Sequence, residues 1–299
     1  MPRTARLIVK EEAAIYHVMS HTALDGFVLK EAEKEYLLSL IKRLSSIFFT
    51  EILGFCIMGN HFHLVVRMLP DDGFSDEQIA NRYQSYYGKG FSKPRLLPGQ
   101  IPYYRHRWAC LSCFMKAIKQ QFSCYYNKLH RRRGYFWGDR FKSVIVEDGQ
   151  TLINCLAYVD LNPVRASLVD KPEDYRWCSL GYHIQSKNSG KLLSFNFGLE
   201  DSGYSNDEER LNVYRRFVYN KGEIGGLDVN SSGSKLSKTQ YFRYRWRYFT
   251  DSGIIGTKAF VYNCYQSLKR PLAASPKAEP QAISGLAQIY CLKRLPKEA

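Results

Sequence analysis

Apolar positions change their period several times along these 299 residues. Ile15–Thr22 reads as a first strand, in which successive residues face opposite sides. Lys30–Ser46 instead carries Leu37, Leu38, Leu40, Ile41 and Leu44 at helical spacing. Phe49–Met58 reads as a second strand, Gly59-Asn60 as a hairpin-type turn, and His61–Met68 as a third strand. Residues 70–105 are rich in Gly, Pro, Asp and Tyr and read as a long surface loop. Cys110–His130 is a second long helix, Phe141–Glu147 a fourth strand and Gln150–Leu161 a third helix. The order strand–helix–strand–strand–helix–strand predicts an α+β, ferredoxin-like antiparallel sheet with helices packed on one face. The other face is left open to carry a site.

Beyond that unit the pattern weakens. Residues 187–206 are rich in Ser, Asn and Gly and read as a linker after a catalytic unit spanning 1–186. Residues 207–299 read as a small, mostly helical accessory region, interrupted by a flexible stretch at Gly222–Ser237 and loosely held after about 271. The run from Tyr241 to Phe249 alternates Arg with aromatic residues. As a strand it would show three arginines on one face and four rings on the other; a helix packed on the catalytic unit is the preferred reading.

Two places carry chemistry. His61 and His63 flank Phe62 in the third strand, so both imidazoles project from one face, close enough to share a metal ion. In the 150–161 helix, Tyr158 lies four residues before Asn162, which stacks the two on one side. Pro163 ends or kinks that helix, because proline disfavours the α conformation in the residue before it. A tyrosine presented beside a two-histidine metal site suits phosphodiester cleavage. The phenolate would be the nucleophile, the metal would polarise the phosphate, and the Asn162 oxygen would complete the coordination. His17 and His21 in the first strand are competing ligands, ranked lower. Tyr16, Tyr125, Tyr126 and Tyr175 are rival nucleophiles.

At these residues the chain resembles a known family. His61-Phe62-His63 reads as the HUH motif of single-strand DNA endonucleases. With Tyr158-Val159-Asp160-Leu161-Asn162-Pro163-Val164-Arg165 it is similar to the single-tyrosine (Y1) transposases, and within them to the REP-associated tyrosine transposases. Supporting stretches are Tyr16-His17-Val18, Gly134–Phe141 and Pro172–Ser179, so the likeness covers roughly residues 1–183. It implies a metal-dependent transposase that cleaves and rejoins single-stranded DNA at hairpins through a 5′-phosphotyrosine on Tyr158. The metal would be Mg²⁺ or Mn²⁺, held by His61, His63 and Asn162. It further implies a monomer or homodimer in the bacterial cytoplasm, associated with the nucleoid. The segment 70–105 is longer than this family would need, which bears on the DNA path rather than the chemistry. Two alternatives share the motifs: a domesticated DNA-binding protein without strand transfer, and a replication-initiator or relaxase-type nicking enzyme. A metal-dependent hydrolase of small molecules is more distant, because it leaves the charge of the chain without a purpose.

Composition agrees. Hydrophobic residues make up 45% and charged residues 24%, which fits a folded globular chain. The formal net charge of +15 favours a polyanionic partner, since each neutralised phosphate releases counterions. Arg131, Arg132, Arg133, Arg140 and Lys142 form one basic stretch with Tyr135, Phe136 and Trp137 interleaved as possible stacking platforms, and Arg165 lies just past Asn162. These six cations are the predicted DNA contacts. Eight cysteines are scattered as in a reduced cytosolic protein, and Cys110-x-x-Cys113 lacks the second pair a zinc finger needs. No nucleotide-binding Gly-rich loop, signal peptide or apolar run of ~18 residues is present, so neither a nucleotide cofactor nor a membrane is expected.

Overall fold

Strand pairing in the first half follows from where the apolar residues fall. The computed structural model describes residues 6–9, 11–88, 95–194, 206–222, 248–268, 279–283 and 288–293. Its elements run β1 (Ala14–His21), α1 (Glu31–Ser45), β2 (Thr50–Ile57), β3 (His61–Met68), α2 (Asp76–Tyr87), α3 (Ile101–Trp108), α4 (Leu111–Leu129), β4 (Lys142–Val146), α5 (Gln150–Asp160), α6 (Asn162–Arg165), α7 (Ser179–Ser186), α8 (Asp207–Gly222), α9 (Tyr248–Asp251), β5 (Ser252–Gly256), α10 (Lys258–Leu268), β6 (Gln281–Ala282) and β7 (Tyr290–Lys293). The sheet order is β2-β3-β1-β4-β5-β7-β6. Its first four strands are mutually antiparallel in the ferredoxin-like order. The α+β class is therefore as expected.

Even-numbered residues of β1 and β3 face one side. Tyr16, Val18, Phe62, Leu64 and Val66 pack there in the core with Leu37, Ile41 and Leu44 of α1 and Phe114, Ile118 and Phe122 of α4. The opposite side was expected to stay open. Instead Ile15, Val65, Val144 and Val146 meet Leu152, Leu156 and Val159 of α5, with Leu180 of α7 and Tyr214 and Val218 of α8 behind. Helices therefore cover both faces. The reason is legible in α5 itself, where nine of its eleven residues are buried, far more than a one-sided stripe would require.

Three details fix α5 against the sheet. Arg67 on β3 pairs with Asp148 at 2.6 Å and Glu51 at 2.9 Å, and Asp148 accepts from the Gly149 N–H at the helix start. Gly149 has φ of 78°, a conformation glycine adopts without strain. A bulge between Ile52 and Gly54 in β2 lets the helix come close, and Ser179 bonds both backbone groups of Phe55 beside it.

Elsewhere the structure departs from the pattern. Residues 70–105 hold two helices rather than one long loop. Ser75 and Gln78 form a reciprocal cap that starts α2. Phe74 stacks on Phe49, and Tyr83 and Tyr104 pack with Trp108 close to the main core. Of the tyrosines that suggested a surface segment, Tyr83 is buried, Tyr86, Tyr87 and Tyr104 are half-buried, and Tyr103 is exposed. Within the expected linker, Leu192 and Leu193 are buried and Ser194 bonds the Ile52 carbonyl along β2, while 195–205 lie outside the described residues. The described residues of the C-terminal region are mostly helical but also contribute β5, β6 and β7 to the sheet, β5 running parallel to β4. Residues 241–247 of the Arg/aromatic run are outside the described residues, and its last two, Tyr248 and Phe249, begin α9. No helix among the described residues is long and apolar enough to cross a membrane.

A Cβ at Gly54 would fall 2.5 Å from Leu156 Cδ2 and 3.1 Å from Ser179 Oγ, whereas one at Gly73 meets nothing within 4 Å. Gly54→Ala is expected to lower stability by about 1–3 kcal/mol in urea unfolding. Gly73→Ala should stay within about 0.5 kcal/mol. Equal effects would show that α5 is not seated on that bulge.

Candidate active site

Four of the seven histidines meet on one sheet face. Register brings them together: His21 pairs with His61 directly, while His17 and His63 are diagonal neighbours, opposite Val65 and Met19. The rings form a row. His21 and His61 stack at 4.7 Å between centroids, His61 meets His63 edge-on at 5.1 Å, and His63 stacks on His17 at 5.1 Å. The row runs from exposed His21 to His17, which is 1% exposed. Access is therefore from the His21–His61 end.

Tyr158 lies across this row. Its ring centroid is 5.8 Å from His63 and 5.9 Å from His17, edge-on to both. Phe249 of α9 packs on its other side at 5.4 Å. Tyr158 is half-buried, so the ring is neither sealed inside nor loose in solvent. The rival tyrosines are elsewhere. Tyr16 is in the core of the opposite face with its hydroxyl on Val9, and Tyr175 donates to the Ile57 carbonyl. Tyr125 and Tyr126 sit on α4, the former stacked on Tyr36.

Pro163 has no N–H to continue the α5 ladder. The Asn162 amide nitrogen substitutes, donating to the carbonyls of Tyr158 at 3.2 Å and Val159 at 3.1 Å. The Asn162 oxygen accepts from Arg165 at 2.7 Å, and Arg165 also donates to the Tyr158 carbonyl at 2.8 Å. Its guanidinium lies 4.2 Å from the Tyr158 ring centroid. Asn162 thus shapes the helix end that presents Tyr158. To serve as a metal ligand it would have to use the second lone pair of an oxygen already shared with Arg165.

Burial sets the charge of the row. It pushes His17 and His61 down to about 4 and lowers His63 well below the usual imidazole range, with Arg165 adding repulsion to each. His21 is lowered too, by burial and by Lys142. Uncharged imidazoles keep a lone pair that a cation could use. Among the described residues no group of three or more His, Cys, Asp and Glu is arranged to hold one. The pair His61 and His63 offers two nitrogens, and further donors would come from Asn162, water or a substrate oxygen.

The predicted DNA contacts divide. Arg165 is at the tyrosine, and Lys142 begins β4 opposite Met19, close enough to His21 to depress it. Arg131, Arg132, Arg133 and Arg140 follow α4. Their loop returns to the site rim: Phe136 accepts from the Ala23 N–H and Gly138 donates to the His21 carbonyl. Of the interleaved rings, Phe136 and Trp137 belong to the core, and Tyr135 is 89% exposed. Only Tyr135 of the three is free to stack on a base, because the other two fill the space between α4 and the sheet. Cys110 and Cys113 are free thiols at the start of α4.

Sequence reasoning weighed His17 only as a rival ligand, and it missed Phe249. His17 Nε2 lies 2.9 Å from His63 Nδ1, and its Nδ1 lies 2.6 Å from the Phe249 carbonyl. It also missed how the C-terminal region docks. Asp160 accepts from the Tyr214 hydroxyl at 2.6 Å and the Leu180 N–H at 3.0 Å, and Glu173 pairs with Arg215 and Tyr219 of α8. Two buried carboxylates so close to the tyrosine helix were a signal that polar partners would come from another segment.

No protein-family model and no curated protein matches this chain. Among solved structures it is similar to a REP-associated tyrosine transposase bound to a REP hairpin. The two share 15% identity over 66% of this chain and 97% of that one, with a TM-score of 0.43. A likeness at this level says nothing of activity, which has to be read from the residues themselves.

The row gives a pH dependence. His17, His61 and His63 bind protons less readily folded than unfolded, so their contribution is fully present above pH 6.5 and is lost as pH falls toward 4. Asp160, raised from 3.8 to about 6 by burial, acts the opposite way: its contribution is present below 3.8 and is lost as pH rises through 6. Three imidazoles outweigh one carboxyl. The urea midpoint should drop from pH 7 to pH 5; a midpoint that is flat or rises would contradict a buried neutral row.

Proposed function

We propose that the protein is a metal-dependent endonuclease and strand-transfer enzyme acting on single-stranded hairpin DNA, with Tyr158 as its nucleophile. The observation that carries this reading is the position of the Tyr158 ring, within 6 Å of the His63 and His17 centroids on a half-buried face. The resemblance of His61-Phe62-His63 and Tyr158–Arg165 to the Y1 transposases supports it. So does the net charge of +15, part of which lies on the loop that returns to the rim.

In this reading His61 and His63, with Asn162 as third protein donor, would hold Mg²⁺ or Mn²⁺. The ion would supply Lewis-acid polarisation of a non-bridging phosphate oxygen. The remaining roles belong to the chain. The Tyr158 oxygen attacks phosphorus, the P–O3′ bond breaks, and the 3′ oxygen leaves as a hydroxyl carrying the proton the phenol loses. The 5′ phosphate stays on Tyr158, so the bond is conserved and a second 3′-hydroxyl can reverse the step. Arg165, beside the ring, offers positive charge to the phosphate oxygens. Lys142, Arg140 and Arg131–Arg133 would track the strand from the rim, with Tyr135 as a stacking surface at ~1–3 kcal/mol per base.

Incubation with labelled hairpins and Mn²⁺ should give a slow-migrating covalent species. Tyr158→Phe should abolish it while leaving hairpin affinity within a few-fold. Adducts that persist would move the nucleophile to another residue; hairpin binding by the wild type without any adduct would leave a DNA-binding protein. Affinity should also fall steeply with salt, with a log–log slope near −0.7 per phosphate contacted. A flat profile would remove the basic channel.

A further inference from the structure

His17 has no part in the chemistry above, yet it is buried and both its ring nitrogens are engaged. Nδ1 lies 2.6 Å from the Phe249 carbonyl oxygen and Nε2 lies 2.9 Å from His63 Nδ1. A carbonyl oxygen only accepts, so His17 Nδ1 carries the hydrogen. A neutral imidazole has one N–H, and burial away from water disfavours a second proton. His17 Nε2 is therefore an acceptor. His63 Nδ1 must donate to it, and the lone pair of His63 is left on Nε2. The same outcome arises at His61, whose Nδ1 is 2.7 Å from Asn60 Oδ1, also an acceptor. Both histidines of the motif thus keep the same nitrogen available.

We propose that His17 is a positioning residue: the Phe249 carbonyl, His17 and His63 form a hydrogen-bonded chain that locks His63 in its Nδ1–H form and leaves Nε2 as the ligating nitrogen. This rests on the reading of His63 as a metal ligand. Its consequence is that the C-terminal region, through one backbone carbonyl of α9, sets the tautomer of a residue more than 180 positions earlier in the chain. Partners of this kind are worth about 10–100-fold in metal affinity where they orient a ligand histidine. The chain also excludes His17 as a ligand through Nε2, since that lone pair is already used.

The test is a long-range proton–nitrogen NMR correlation on the full-length, metal-free protein labelled with ¹⁵N-histidine at pH 7.5. The His63 signals are identified by their loss in His63→Gln. His63 and His17 should each show a protonated Nδ1 and a bare Nε2. His17→Phe should leave His63 as a mixture of tautomers and weaken Mn²⁺ binding about 10–100-fold. His17→Gln, whose carboxamide oxygen can accept from His63, should recover most of both. A wild-type His63 protonated on Nε2 would overturn the proposal, and so would a His17→Phe protein with unchanged tautomer and unchanged Mn²⁺ affinity. The wild-type spectrum decides even if His17→Phe fails to fold. The predicted tautomers in a protein that binds no Mn²⁺ would uphold the chain and end the metal reading instead.

Discussion

The pairing of β1 with β3 is the constraint on which everything else depends. Its register sets Tyr16 opposite Val66, Val18 opposite Leu64 and His21 opposite His61. Large apolar side chains then face α1 and α4, and every histidine of the row faces α5. A slip of one residue would exchange the two sets, burying imidazoles in the main core and turning Phe62 and Leu64 toward α5. The same apolar residues that stabilise the fold therefore hold the row in place, and no separate device is needed to align four rings.

Holding the rings there has an electrostatic cost, and it shapes the site. A row of imidazoles under a helix must be neutral, and Arg165 beside Tyr158 adds to the pressure against protonation. Neutral rings next to one guanidinium leave positive charge as the only fixed charge among these groups, which favours an anion over a cation beside them. The helix that covers the row is in turn tied down from behind. Asp160 with Tyr214, and Glu173 with Arg215 and Tyr219, fasten α8 to the first unit. The accessory region is thus part of the site's support rather than an independent appendage.

Much of this was legible in the residues. The apolar run around Phe62 identified a strand and placed His61 and His63 together, and the helical spacing of Leu152, Leu156 and Val159 identified the helix that carries Tyr158. The predicted strands and long helices of the first unit lie within a few residues of those observed. What failed to show depends on partners distant in sequence. His17 is an ordinary strand residue until β1 meets β3, and Phe249 sits at the end of an Arg/aromatic run whose pattern suits a strand or a helix equally. The burial of both sheet faces was hidden because Thr151, Asn154 and Asp160 give α5 the look of an amphipathic helix, although all three are buried. Tyr83, Tyr86, Tyr87 and Tyr104 were read as loop residues because tyrosine serves as readily in a core as at a surface. Phe136 and Trp137 raised the same ambiguity, and the gap beside α4 decided it.

In the proposed reaction Tyr158, and no other of the 22 tyrosines, takes the phosphate. Trypsin digestion and mass spectrometry of protein cross-linked to a hairpin would test this most directly. Residues 143–165, bounded by Lys142 and Arg165, contain a single tyrosine. The account predicts that the nucleotide mass is found on that peptide. A nucleotide on a peptide containing Tyr16, Tyr125 or Tyr175 would contradict it.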